Sequence, residues 1–401
     1  MMVVRDFLLW LESASANDRA EAAGALARGY ICCDFEADAD ELAAVEGVML
    51  RLLDDQSPLV RRALADALAA SPLAPPTAIM ALTADQPQIA APVYALSPLL
   101  IDADLIDAVA SGGDAIQTAI ACRAELQSAV AAAIAELGSA EACLILVEND
   151  GAEIAPASIH RIAERFGGVA TIREALLVRA DIPAATRQSL VTKLSEEIAG
   201  FVVGRSWLDA DRAQRVVREA CEKATVIIAA ARPQAELRPL ICHLCASGQL
   251  TAGLILRALL SGNLVFFEEA LAELSGMPVR RVSRLVHDRF SSGVQALLEK
   301  AKLPPPTHRA FKAAITAMHD DLAGDGAARL QRRMIERVLT ACEGADVGEI
   351  APLVTLLRRF ATEAAREEAR LFCEELVEAP AEIPAEIPAE IPAEITYSAA
   401  A

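Results

Sequence analysis

Residues 54–69, DDQSPLVRRALADALA, constrain the fold more than any other stretch of this chain. Val60, Ala63, Leu64, Ala67 and Leu68 recur at the spacing of one helical face. Ser57 stands at the expected N-cap. Pro58 fits the first helical position, where its missing N–H removes no bond. Upstream, Leu42, Val45, Met49, Leu50, Leu52 and Leu53 make a second apolar helix. The short turn at 54–57 joins the two as a helix hairpin with a buried seam.

The rest of the composition extends this reading to the whole chain. Of 401 residues, 54% are hydrophobic and only 4% aromatic, so the apolar content is chiefly Ala, Leu, Val and Ile. Ala and Leu are strong helix formers. Aromatic-rich alternating runs and Asn-Gly hairpin turns are missing, which leaves an all-α fold. An apolar residue followed by Pro and then a helical pattern recurs in LAPPTAIMAL, DIPAATRQSL, GMPVRRVSRL and KLPPPTHRAF. These helix-starting turns imply helix pairs stacked one on the next.

The formal net charge of −19 opposes nucleic acid and anionic membrane surfaces, both of which are held by clustered Lys and Arg. Nine cysteines without framework spacing read as reduced thiols. Arg5 and Asp6 interrupt the apolar N-terminus, which argues against a signal peptide. No apolar run approaches the roughly 18 residues of a spanning helix. GLILRALLSGNLVFF reads instead as two amphipathic halves broken by Arg257 and by residues 261–263. A cytoplasmic location is expected.

LLDDQSPLVRRALADAL resembles the HEAT-repeat signature, with Asp55, Val60 and Arg61 at that family's Asp and Val-Arg positions. The resemblance implies a polar ladder in which Asp55 and Arg61 link neighbouring repeats. AIACRAELQSAVAAAIAEL, VENDGAEI, REALLVRADIP and the stretch ASGQLTAGLILRALLSGNLVFFEEALAELSGMPVRRVSRLVHDRFSSGVQALLEKAKLPPP resemble an alphaproteobacterial family known as a domain of unknown function. That likeness runs from about residue 40 to about 310. It implies a helical fold with HEAT-like repeats and brings no catalytic residues with it.

The expected organisation is N-terminal HEAT-like repeats over 1–150 and central repeats continuing one superhelix over 151–305. C-terminal helices follow over 306–379, then a disordered AEIP-repeat tail over 380–401, where Pro384, Pro388 and Pro392 would break any helix.

Candidate chemistry is sparse. Cys242 and Cys245 form a lone C-x-x-C, whereas a structural zinc site normally has four ligands. With Leu240 and Leu244 beside them they read as small core hydrophobes. His287–Asp288 and His319–Asp320 have the dyad of helical metal phosphohydrolases, with His160 and Asp346 as the remaining ligands, but no spacing joins them. Glycine-rich phosphate loops and Ser-His-Asp signatures are missing. Two basic faces stand out: Arg280, Arg281, Arg284 and Arg289, and then Arg329, Arg332, Arg333 and Arg337. Pairing with nearby carboxylates is the ordinary use of such arginines. The expectation is a HEAT-like α-solenoid that binds a protein partner and uses no cofactor or metal. The rival readings are a nucleotide or nucleic-acid binder and a His-Asp phosphohydrolase.

Overall fold

The computed structural model describes residues 2–32, 39–288, 293–320, 329–342 and 347–378. Their regular structure is twenty-two α-helices, one 3-10 turn and an isolated bridge, and no strand occurs among the described residues. The chain divides into two compact units, residues 1–228 and 229–401. The AEIP tail, Arg289 and Asp346 lie outside the described residues.

Unit 1 begins with α1 (Met2–Ser13), α2 (Ala16–Ile31), α3 (Ala39–Leu53), α4 (Pro58–Leu68), α5 (Pro76–Thr83), α6 (Pro87–Leu96) and α7 (Asp102–Ser111). It continues with α8 (Asp114–Ala121), α9 (Ser128–Leu137), α10 (Ala140–Glu148), α11 (Pro156–Phe166), α12 (Ala170–Val178) and α13 (Ala184–Gly204). The last helix, α14 (Ala210–Ala230), crosses the division. Even-numbered helices pack in succession from α2 to α12, and the odd ones pack α1 on α3, α3 on α5, α7 on α9, α9 on α11 and α11 on α13. This is a two-layered stack of helix pairs, a helical solenoid. Leu64, Leu68, Ile79, Leu82, Ile89, Ile120 and Ile134 fill the seam and are fully buried. Alanines such as Ala23, Ala27, Ala131 and Ala135 leave room for the close approach of neighbouring helices.

Proline starts several of these helices, at Pro58, Pro76, Pro87 and Pro156 within the first turn and at Pro183 as N-cap. Ser57 holds the expected N-cap position, but its side chain makes no capping bond. Asp55 Oδ1 instead accepts the Ser57 N–H at 2.8 Å, since an aspartate can bond the backbone two residues on. The expected division between residues 150 and 151 falls on a bridged turn inside unit 1. There Leu126 N–H bonds Gly151 O and Glu153 N–H bonds Leu126 O. A Cβ at Gly151 would sit 1.9 Å from Ala124 O, so only glycine fits.

Unit 2 comprises α15 (Gln234–Ala246), α16 (Ala252–Leu260), α17 (Leu264–Ser275), α18 (Val279–His287), α19 (Gly293–Lys300), α20 (His308–Asp320), α21 (Arg332–Cys342) and α22 (Val347–Glu378). The expected break at Arg257 does not occur. Arg257 lies inside α16, every residue of which from Leu254 to Leu260 is buried, and only residues 261–263 interrupt the apolar run. A cation survives there because Glu363 of α22 receives it at 3.0 and 2.9 Å, and its guanidinium lies 4.4 Å from the centre of the Phe360 ring. Left-handed residues close the helix ends here: Gly248, Gly262 and Gly276 follow α15, α16 and α17.

Candidate functional site

The polar ladder of unit 1 starts with two ion pairs. Asp55, in the turn before α4, receives Arg19 of α2 at 2.8 and 3.0 Å. Arg61 of α4 reaches forward to Asp85, in the turn before α6, at 2.6 and 3.1 Å. Asp55 and Arg61 do not pair through their side chains, but Arg61 Nη1 donates to Asp55 O at 2.6 Å. Each hairpin is thus bolted to the next by a two-toothed bond, the geometry for which guanidinium is suited. The Arg19 bond, opposed by burial, holds the Asp55 carboxyl below the ordinary carboxylate range. At Asp85 burial pushes upward, and the bonds from Arg61 and the Gln86 N–H outweigh it.

Beyond α6 the ladder changes chemistry, and here reading the sequence missed it. Arg123 donates to Tyr94 O and Ser97 O at the end of α6. Asn149 donates to Ala121 O and Arg123 O at the end of α8, and Arg179 to Val147 O of α10. In the other layer Arg165 donates to Ala135 O and Gly138 O at the end of α9, and Lys193 to Ala163 O of α11. The last carbonyls of a helix have no partner within it and carry partial negative charge. A cation or amide from the following helix pair satisfies them. The only local signal is a polar residue just after an Ala- or Leu-rich helix, as in ACRAE, VENDG and LVRAD.

The basic faces divide into paired and unpaired arginines. Arg332 bonds Glu336 at 2.8 Å and lies 3.7 Å from Glu368, and Arg337 bonds Asp320 at 3.1 Å. Arg329 and Arg333 are exposed, and neither has a side-chain partner among the described residues. On α18, Arg280, Arg281 and Arg284 are likewise exposed and unpartnered, while Val282 and Val286 are buried on the opposite side. The helix is fixed from beneath by Glu268 of α17. Its Oε1 lies 3.2 Å from His287 Nδ1, and burial pushes its carboxyl above the ordinary range against the pull of Ser283 and His287.

The structure does not bring the His-Asp dyads together as ligand sets. His287 faces Glu268 and the Ser283 carbonyl, and His319 Nε2 meets the Val286 carbonyl at 2.9 Å. No cluster of three or more His, Cys, Asp or Glu with metal-binding geometry occurs among the described residues. Cys242 and Cys245 are exposed, which corrects their reading as core residues. The buried face of α15 is Leu237, Leu240, Ile241 and Leu244, and each next residue turns about 100° away from it.

Residues 89–348 match the DUF2336 family, described as uncharacterised proteins conserved in bacteria. The chain belongs to the DUF2336 family. The family region takes in the carbonyl ladder, α18 and α21, whereas both Arg–Asp rungs lie ahead of it. No curated protein and no solved structure matches this DUF2336 chain. Among its described residues no helix is long and apolar enough to cross a membrane.

Proposed function

We propose that this protein is a cytoplasmic scaffold of HEAT-like repeats that binds an acidic segment of a protein partner through α18. One observation carries the proposal. Arg280 and Arg284 stand four residues apart on one face, with Arg281 beside them, and among the described residues no carboxylate answers any of the three. Like charges at that spacing destabilise a helix by a few tenths of a kcal/mol. They stand in a chain with 56 carboxylate residues, enough to neutralise every arginine it has. A face that costs stability and stays unneutralised fits a surface kept for an outside anion. The HEAT-like reading and the alphaproteobacterial lineage rest on the sequence resemblance around Asp55 and Arg61 and in the central stretch.

The test is affinity purification of the tagged protein from its native cell, comparing wild type with a variant carrying Gln at 280, 281 and 284. A protein retained by the wild type, lost by this variant and kept by an Arg329→Gln/Arg333→Gln variant supports the reading. Recovery of nucleic acid in a salt-sensitive way would favour the phosphate-binding rival, since counterion release makes such binding fall steeply with salt.

A further inference from the structure

We infer that His287 is a phosphoryl-acceptor site, taking a phosphoryl group onto Nε2 from an acyl phosphate, a role beyond the docking of an acidic segment on α18. His287 is more than half exposed at the C-terminal end of α18, and every polar contact it makes among the described residues is at Nδ1. Nδ1 lies 3.0 Å from the Ser283 carbonyl oxygen, 3.3 Å from Ser283 Oγ and 3.2 Å from Glu268 Oε1. A carbonyl oxygen can only accept, so the proton of the neutral ring sits on Nδ1. Nε2 is then the bare nitrogen, with its lone pair free. His160 and His308 lack this freedom. His160 Nδ1 meets Thr186 Oγ1 at 3.2 Å and its Nε2 lies 3.4 Å from Glu164, while His308 meets Gln295 through Nδ1 and Leu303 O through Nε2.

Two sets of neighbours suit this ring to nucleophilic attack. Glu268 on α17 is nine-tenths buried, and no hydrogen-bond donor among the described residues aligns with its Oε1, although Nδ1 stands 3.2 Å away. Attack through Nε2 puts a positive charge on the ring, and that poorly solvated carboxylate then has a cation to answer. Arg284 lies three residues before His287 and Arg280 four before that, so the three share one exposed face of α18. Neither arginine has a side-chain partner among the described residues. Asp288 follows at the C-cap, off the end of the helix.

Charge selects a phosphoryl group over other electrophiles. Guanidinium forks match phosphoryl oxygens, an acyl group offers them no anion, and a metal cation would be repelled by them. The step needs no further reactant. The Nε2 lone pair attacks phosphorus and forms a P–N bond. The bond from phosphorus to the acyl oxygen breaks, and a carboxylate leaves with that electron pair. Nδ1 keeps its proton, so the ring ends with one positive charge beside Glu268. A P–N bond requires a donor of high transfer potential, which an acyl phosphate is and a simple phosphate ester is not. Such a donor is a small acyl phosphate or a phosphorylated aspartate of a protein.

The experiment treats the full chain with acetyl phosphate and maps phosphate by mass spectrometry under alkaline conditions, where phosphohistidine survives. Circular dichroism checks folding. A second arm replaces acetyl phosphate with native-cell proteins phosphorylated by it and then freed of it by gel filtration. Phosphate on His287 in the first arm is the expected result for a small donor, and phosphate there in the second arm alone assigns the donor to a protein aspartate. Arg280→Gln with Arg284→Gln, and separately Glu268→Gln, should slow labelling at least about tenfold in a folded chain. Absence of phosphate from His287 in both arms overturns the inference. So does labelling of His160 at an equal rate, or labelling of His287 that neither folded variant slows, which marks an exposed imidazole and no more. Labelling that persists where α18 captures no protein partner would remove the docking reading alone.

Discussion

Arg61 bonds Asp85, not Asp55: its Nε stands 2.6 Å from Asp85 Oδ2, across 24 residues of sequence. Asp55 is taken by Arg19, so each pair joins one hairpin to the next and neither closes within its own. Arg61→Ala should therefore cost about 1–3 kcal/mol, the range for a charged hydrogen bond removed from a partly buried site. Arg62 pairs with Asp66 four residues away, both exposed, and Arg62→Ala should cost no more than about 0.5 kcal/mol. Urea titrations of the two variants measure the difference. Equal losses would remove the ladder from the account of stability.

Acid should loosen these two joints. Asp55 and Asp85 are both held below the ordinary carboxylate value of about 3.9. A depressed folded value means the stabilisation is fully present above the unfolded value. It is lost as pH falls through the folded one. Between about pH 6 and pH 2 the wild type should lose this contribution, and an Asp55→Asn/Asp85→Asn variant should start lower and change less. Denaturant midpoints across that range report it.

Arg257 is 3% exposed, and its charge is answered by Glu363. Glu363→Ala should destabilise on the order of 3 kcal/mol, because it strands a buried cation. Replacing the pair together, Arg257→Met with Glu363→Leu, should recover much of that loss, since an apolar pair carries no desolvation penalty. Thermal unfolding of the three variants distinguishes the outcomes. A double variant as unstable as Glu363→Ala would show that packing around Arg257, not its charge, is what matters.

Ser206 adopts a left-handed conformation that L-residues with a Cβ enter at a cost. Ser206→Gly should stabilise by up to about 1 kcal/mol, offset in part by glycine's greater freedom in the unfolded chain. A rise in the thermal midpoint is the expected reading, and a fall would place the cost elsewhere.

Thiol labelling separates the cysteines by burial. Cys242 and Cys245 are exposed and should react in the native protein. Cys143 is fully buried, and burial pushes its thiol up to about 11, so it should react only on unfolding. Peptide mapping after brief alkylation decides this. Early modification of Cys143 would mean that the α9–α10 region opens far more readily than its packing implies.

Local spacing determined much of this molecule. The stripe from Val60 to Leu68 fixes α4, the glycines and polar breaks between 102 and 148 mark four successive helices, and Pro76, Pro183 and Pro278 start helices where the sequence places them. Such features are legible because helix periodicity and capping act over a few residues. What a polar side chain does depends on groups far along the chain, and only the tertiary structure decides it. Arg257 looks like a break in an apolar run until α22 supplies Glu363, 106 residues away. Arg123 and Asn149 look like loop residues until the ends of α6 and α8 present their unpaired carbonyls. Cys242 and Cys245 look like core residues until α15 turns its leucine face inward and leaves them outside. The arginines of α18 are the converse case: their basic stripe is plain in the sequence, but that no carboxylate among the described residues reaches it is a fact of packing alone.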